Sequence, residues 1–404
     1  MTSDPIQLNL GEELLEEFLT RRRTFDPADV PAMANRYTES LGIGSSTVYL
    51  ADIQQNLLFP ISGGPAVPIE GTLAGWAFRT SSLRVAESSG GGLAAWFPLI
   101  DGAERLGVLL LEASALDRPA LRRCRMLAGL LAMVITSKRD TSDSYSRTTR
   151  VDTMSLPAEM LRAFLPPRTV STDQVVSTAV LEPAYNLGGD AFDHSLAAGV
   201  LHAAVLDAMG HDLASGLAAA VALAACRNAR RNGADLPDLV SSIDDALIEW
   251  IPDRFATGVF LRLDLATGTL HWSNCGHPAP LLIRDQEVVT DALSSAPEPP
   301  LGLSGLMEGT RSTNTASLHP GDRVLLYTDG IIEAKGAHNE LFGLERFADF
   351  VIRATAAGEM APEALRRLIH ALLGDQGSTL TDDATIMMIE WQPPFPRNAD
   401  GSPA

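Results

Sequence analysis

Cysteine is scarce: the chain has three, Cys124, Cys226 and Cys275, far apart in sequence. They can build no disulfide framework and no CxxC metal knuckle, and a reducing compartment suits them. Long apolar runs are missing as well. The longest, residues 127–135 and the Ala-rich 217–226, fall well short of the ~20 residues of a membrane span. The opening residues MTSDPIQLNLGEELLEE are acidic and lack the basic-then-apolar order of a secretion signal. These absences predict a cytoplasmic protein with no membrane partner. Basic residues are outnumbered, 31 Lys and Arg against 50 Asp and Glu, for a net charge of −19. Such a field repels a polyanion, and no basic stripe offsets it, so nucleic acid is excluded as a partner. What is present is a globular composition, 46% apolar and 20% charged. Over 404 residues it excludes a chain disordered throughout and predicts two or three domains.

Periodicity divides the chain further. Residues 1–40 read as an N-terminal helical segment, with Leu14, Leu15, Phe18 and Leu19 on one stripe. Short strand patterns between Gly, Pro and Ser clusters follow, then a helix over 119–138 with Leu121, Met126, Leu130, Met133 and Val134 on its apolar side. Residues 41–138 thus read as a small α+β module. The polar run KRDTSDSYSRTTR (138–150) is either a solvated linker or the exposed part of a continuing helix. A helical pattern resumes at 156 and stops at Pro166-Pro167, so 139–167 reads as a helical, charged linker. Strands dominate 168–392. A helix over 213–232 has Asp212 as N-cap and Leu213, Leu217, Val221 and Ala224 at helical spacing. The Pro-rich 393–404 reads as a disordered tail.

Four acidic spots stand beside glycine or a turn: GGD at Asp190, LDAMGHD at Asp207, YTDG at Asp329, and TDDAT at Asp382 and Asp383. Any one of them suits an ordinary turn. The strands leading to Asp207 and Asp329 are strongly apolar, however. A carboxylate at the end of a buried strand is costly unless a cation or donor meets it. Four in one domain favour a shared hard-metal site, and carboxylate oxygens suit Mg²⁺ or Mn²⁺.

The run LRAFLPP, NLGGDAFD, LDAMGHD, FATGVF, SNCGHPAP, PPLGL, GDRVLLYTDGIIEA, LFGLERF and LTDDATIMMIE resembles the SpoIIE/RsbU-like, sigma-regulation branch of the PPM metal-dependent Ser/Thr protein phosphatases. It covers residues 156–391. The resemblance implies an αββα sandwich, two Mn²⁺ or Mg²⁺ ions, and a water attacking phosphorus with no protein nucleophile. It implies that Asp207 bridges the ions and that the Ala208 carbonyl faces the second. It gives Asp329 and Asp382 to the first ion and Asp190 to the second. Asp382 is chosen over Asp383 because Thr385 stands three residues after it, as in the family motif. Asp193 is a weaker candidate, for an outer role. The sequence departs from relatives at Asp212, where many have Gly, and at Met209, where the eukaryotic enzymes have a proton-donating His. Asp212 reads as a cap, with an extra carboxylate near the metals as the alternative. His211 and His277 read as loop residues before catalytic ones, and Cys275 as a small buried residue.

The N-terminal module resembles a GAF sensor, through its strand order and the GTLAGWAF helix start at 71–78. Trp76, Phe78, Trp96 and Phe97 suit either its core or a small-molecule pocket. The whole is therefore expected to be α+β: a GAF-like sensor, a helical linker that pairs two subunits as a homodimer, and a phosphatase. The implied substrate is a phosphorylated regulatory protein of the anti-sigma-factor antagonist type. The rival readings are a catalytically weak ligand-sensing scaffold and a phosphatase of small phosphomonoesters.

Overall fold

Alternation of large apolar and other residues in LAAWFPLID and ERLGVLLLEA makes a hairpin that anchors the first sheet, with Phe97 opposite Leu109. The computed structural model describes residues 20, 26–88, 91–139, 141–306, 311–334, 341–374, 380 and 382–393. The N-terminal stripe around Leu14–Leu19 and the tail after residue 393 lie outside them. The chain divides into two units between Val151 and Asp152, a division that falls inside the 139–167 segment.

In the first unit, strands β1 (Ser45–Ala51), β2 (Leu57–Pro60), β3 (Val67–Pro68), β4 (Arg84–Glu87), β5 (Leu93–Asp101) and β6 (Glu104–Ala113) form an antiparallel sheet in the order β3-β2-β1-β6-β5-β4. Its helices are α1 (Val30–Ser40), α2 (Leu73–Thr80), α3 (Arg118–Arg139) and α4 (Asp143–Thr149). One sheet face packs on α1, α3 and α4 through Phe97, Leu109, Val30, Leu127 and Tyr145. The other packs on α2 through Leu58, Val108 and Phe78. Phe78 and Phe97 are therefore core, and Trp76 is exposed.

Two expectations fail in this unit. Helix α3 buries Cys124, Leu127, Ala128, Leu131, Ala132 and Ile135, while Met126 and Met133, expected inside, are each 61% exposed. The run 138–150 is neither open linker nor continuing helix. A new helix starts after the Ser142 N-cap, and its Tyr145 is buried with its hydroxyl 3.2 Å from the Pro27 carbonyl.

The second unit begins with α5 (Leu156–Phe164), β7 (Thr169–Ser171), β8 (Val175–Glu182), β9 (Asp190–Ala197) and β10 (Val200–Ala208). Then come α6 (Leu213–Arg231), α7 (Leu236–Trp250), β11 (Ala256–Asp264), β12 (Thr269–Cys275), β13 (Leu281–Arg284), β14 (Glu287–Val288), β15 (Asn314–Ser317) and β16 (Arg323–Tyr327). It ends with α8 (Asp329–Ile332), α9 (Gly343–Ala356), α10 (Ala361–Gly374) and β17 (Ala384–Trp391). Two antiparallel sheets result, β15-β12-β11-β10-β9 and β14-β13-β16-β17-β8-β7. One core joins the first sheet to α6 and α7 and to the inner face of the second. Another joins the outer face of the second sheet to α9 and α10. The layers are helix, sheet, sheet, helix.

Helix α6 starts at the Asp212 N-cap and stops just before Gly233, which has φ +81°. The face it buries is not the expected one. Leu213 and Leu217 are 47% and 44% exposed, and Ala218, Ala219, Ala222, Leu223 and Cys226 face the core. Small side chains let a helix lie close to its neighbours, and here alanine supplies that contact. No helix among the described residues is long and apolar enough to cross a membrane.

Candidate metal and phosphate site

Three neighbouring strands bring Asp190, Asp207 and Thr257 level at one end of the second unit's β15-β12-β11-β10-β9 sheet, because Asp207 pairs with Asp190 on one side and Thr257 on the other. From Thr257 the contact passes to the second sheet. The Thr257 hydroxyl lies 2.8 Å from His277 Nδ1, and His277 Nε2 lies 3.1 Å from the Tyr327 carbonyl. That carbonyl can only accept, so Nε2 carries the proton and Nδ1 accepts from Thr257. Burial pushes the His277 pKa down to about 4, which keeps the ring neutral. Asn274 closes the loop with its side-chain oxygen on the His277 N–H and its amide on the His277 carbonyl. His277 is thus a bridge between sheets.

Tyr327 leads to Thr328 and Asp329, the first residue of α8. Thr328 stands at the N-cap of that helix, but its side chain makes no capping bond. Its hydroxyl donates to Asp190 Oδ2 at 2.7 Å and accepts from the Thr385 N–H at 2.8 Å. The Thr385 hydroxyl donates to the same Asp190 oxygen, also at 2.7 Å. Asp383 Oδ2 takes the backbone N–H groups of Gly188, Gly189 and Asp190 at 2.6, 2.8 and 3.2 Å. Asp382 remains exposed at that turn, with one oxygen on the Asp383 N–H. Glycine is required where these segments meet. A Cβ on Gly189 would sit 2.1 Å from the Ala208 carbonyl oxygen, and one on Gly330 1.9 Å from that of Asp383.

The carboxylates disturb one another. Burial, then Asp329, Asp382 and Asp383, push the Asp207 pKa up to about 7. Burial, then Asp207 and Asp383, raise Asp190 well above the usual range against the pull of its two threonines. Burial raises Asp383 despite its three N–H donors. Acidic groups are thus held together at a cost that positive charge would remove. Among the described residues no three His, Cys, Asp or Glu side chains form a finished metal cage. The acids share a rim, and the donors there are all oxygen, a set suited to hard divalent ions.

Other candidates have different partners. Asp193 is bound by Arg227 at 2.6 and 3.0 Å and by Arg230 at 2.5 Å, which ties β9 to α6. His211 is exposed in the loop before α6. Cys275 is buried, and burial lifts its thiol to about 12, so it is no nucleophile at neutral pH. The motif reading missed Thr328 and Arg254. The DDAT motif did draw attention to Thr385, though as a spacing marker and not as a donor to Asp190.

Residues 197–392 match the family model described as Stage II sporulation protein E (SpoIIE). The matched stretch lies within the second unit. Strand β9, with Asp190, pairs with β10 inside the matched range although it begins before it. Among curated proteins, the chain is 29% identical over 136 residues to Protein IcfG of Synechocystis sp.. The match covers 33% of this chain and spans only about a fifth of IcfG, 20%. Among solved structures, the SiaA-PP2C domain of Pseudomonas aeruginosa aligns with a TM-score of 0.50 at 20% identity, over 64% of this chain and 100% of that one. The RsbU and RsbW domains of Rv1364c from Mycobacterium tuberculosis align at 0.47 and 23%, over 57% and 63%. The second unit therefore has the PP2C-type phosphatase fold.

Proposed function

We propose that the second unit is a SpoIIE-type, metal-dependent phosphoserine/phosphothreonine protein phosphatase using two ions, Mn²⁺ or Mg²⁺. Asp207 would hold both, with the Ala208 carbonyl, Asp190, Asp329 and Asp382 supplying the remaining protein oxygens. The observation that carries this reading is the gathering of acids from four separate segments at one rim, where Asp207 is lifted to about 7 by burial and by its acidic neighbours. Such ions supply positive charge to phosphoryl oxygens and lower the pKa of a water positioned for in-line attack. The chain's own part is to fix the ligands. Thr328 and Thr385 orient Asp190, Asp383 holds the Gly188-Gly189 turn, and His277 keeps the two sheet ends in register.

The substrate in this reading is a phosphorylated regulatory protein of the anti-sigma-factor antagonist type in the cytoplasm. The first unit acts as a GAF-like sensor, and its helix α3 pairs two subunits. The test is phosphate release from a panel of phosphoproteins, with and without Mn²⁺. Metal-dependent release from a phosphoprotein is expected. Cleavage of small phosphomonoesters alone, or no release at saturating Mn²⁺, overturns the reading.

A further inference from the structure

The loop from Asp207 to α6 carries the acid and carbonyl at the centre of the site, and something must hold it. Asp212 caps α6 through a full capping box. Its Oδ1 accepts from the Ser215 N–H at 2.9 Å, and the Ser215 hydroxyl accepts from the Asp212 N–H at 3.0 Å. That leaves Oδ2, which takes Arg254 Nη2 at 2.8 Å. The other arm of the same guanidinium, Nη1, donates to the Met209 carbonyl at 3.0 Å. Next to Arg254, the Phe255 carbonyl accepts the Met209 N–H at 3.1 Å. Both backbone groups of Met209, the residue after Ala208, are therefore held by the segment between α7 and β11. The Ser215 bonds, then Arg254, hold the Asp212 carboxyl below the usual range, so it is ionised at neutral pH.

We propose that Arg254 is a positioning residue, clamping the 208–212 loop to the N-terminus of α6 so that the Ala208 carbonyl and Asp207 are set for the metal ions. This rests on the metal-phosphatase reading above. The planar fork of arginine matters, because one side chain must reach a carboxylate and a carbonyl at once, which a lysine point charge cannot do. The Arg254 and Asp212 side chains are 26% and 55% exposed, and exposed ion pairs add little to stability. Losing the clamp should therefore alter metal binding more than folding.

The test uses the full chain. Mn²⁺ binding by calorimetry, the Mn²⁺ dependence of phosphate release, and thermal unfolding in EDTA are compared for wild type and variants. Arg254→Ala should raise the Mn²⁺ dissociation constant and half-saturating concentration by about tenfold, the usual loss when a ligand's supporting partner goes. Its metal-free melting point should stay near wild type. Arg254→Lys should fall between the two. Asp212→Ser keeps a capping side chain but loses the arginine partner. It should shift in the same direction, and Asp212→Ser/Arg254→Ala should be no worse than Arg254→Ala, since one contact cannot be lost twice. Wild-type Mn²⁺ binding in Arg254→Ala, additive effects in the double variant, or a lower melting point with unchanged binding would overturn the clamp alone. A wild type that neither binds Mn²⁺ nor releases phosphate would overturn the functional reading and the clamp with it.

Discussion

Asp190, a candidate ligand in the sequence, and Asp383, passed over in favour of Asp382, are each engaged by groups remote along the chain. Asp190 is held by Thr328 and Thr385, 138 and 195 positions away. The Gly188 N–H that meets Asp383 is 195 positions from it. The acids themselves were legible in the sequence, because each stands beside a glycine or turn and apolar strands lead to Asp207 and Asp329. Their partners were not, since no local pattern links a threonine to an aspartate in another sheet. Arg254 escaped for the same reason, 42 positions from Asp212. If Asp207 and Asp329 hold metal, Asp207→Asn or Asp329→Asn should lower turnover by at least roughly a hundredfold, the upper end of what a lost supporting partner costs. In EDTA, Asp207→Asn should melt no lower than wild type, because Asn removes a crowded charge. Full phosphate release at saturating Mn²⁺ in either variant would exclude that residue as a ligand. His277 gives a pH prediction. Its folded pKa of about 4 lies below the ordinary value of 6.5, so folding favours the neutral ring. The stability it contributes is complete above pH 6.5 and is lost as pH falls from 6.5 through 4, by up to about 3 kcal/mol. Urea midpoints across that range should fall less steeply in His277→Gln than in wild type. His202, also lowered to about 4, adds the same background to both. Equal slopes would show that His277 is not the group responsible.

Among the elements, most helices and the long strands were legible from period and punctuation, whereas the buried faces of α3 and α6 were not. In α6 the leucines attract attention, yet the helix buries Ala218, Ala219 and Ala222 and leaves Leu213 and Leu217 outside. A stripe of alanines carries a weak hydrophobic signal, and what it offers is closeness of approach. Strand β9 was also missed, since Asp190, Asp193 and His194 break the apolar pattern while all being buried. Arg227 and Arg230 neutralise Asp193, and Ser177 and the Pro167 carbonyl satisfy His194, pairings that appear only once the chain is folded. The two faces of α6 can be separated by stability. Ala222→Leu should cost about 1–3 kcal/mol by overpacking. Leu217→Ala should stay within about 0.5 kcal/mol, as surface changes do. Denaturant midpoints of the two variants decide it, and the reverse ranking would place Leu217 in the core.

For the whole molecule, the division into two units lets regulation of one by the other be tested by dissection. Both cores of the second unit are built from residues at or beyond Met154, so a piece starting at Thr153 is expected to fold. Helix α3 uses its inner face in the first unit, but Met126 and Met133 project outward with half-buried Leu130 between them. The spacing 126, 130, 133 is that of successive positions along one helix seam, and a second copy of α3 would cover it. Two turns make a short seam, so the pairing should be weak and sensitive to single charges. The full chain is expected to be dimeric by light scattering, with Met126→Glu/Met133→Glu monomeric and still folded because both side chains are already exposed. The piece from Thr153 should also be monomeric. If subunit pairing governs the second unit, both monomeric forms should share a phosphatase rate that differs from that of the full chain across Mn²⁺ concentrations. An effector could act through such pairing only by preferring one arrangement over the other. Equal mass and equal rate for the full chain and the Thr153 piece would make segment 119–152 a passive tether and remove the basis for regulation through it.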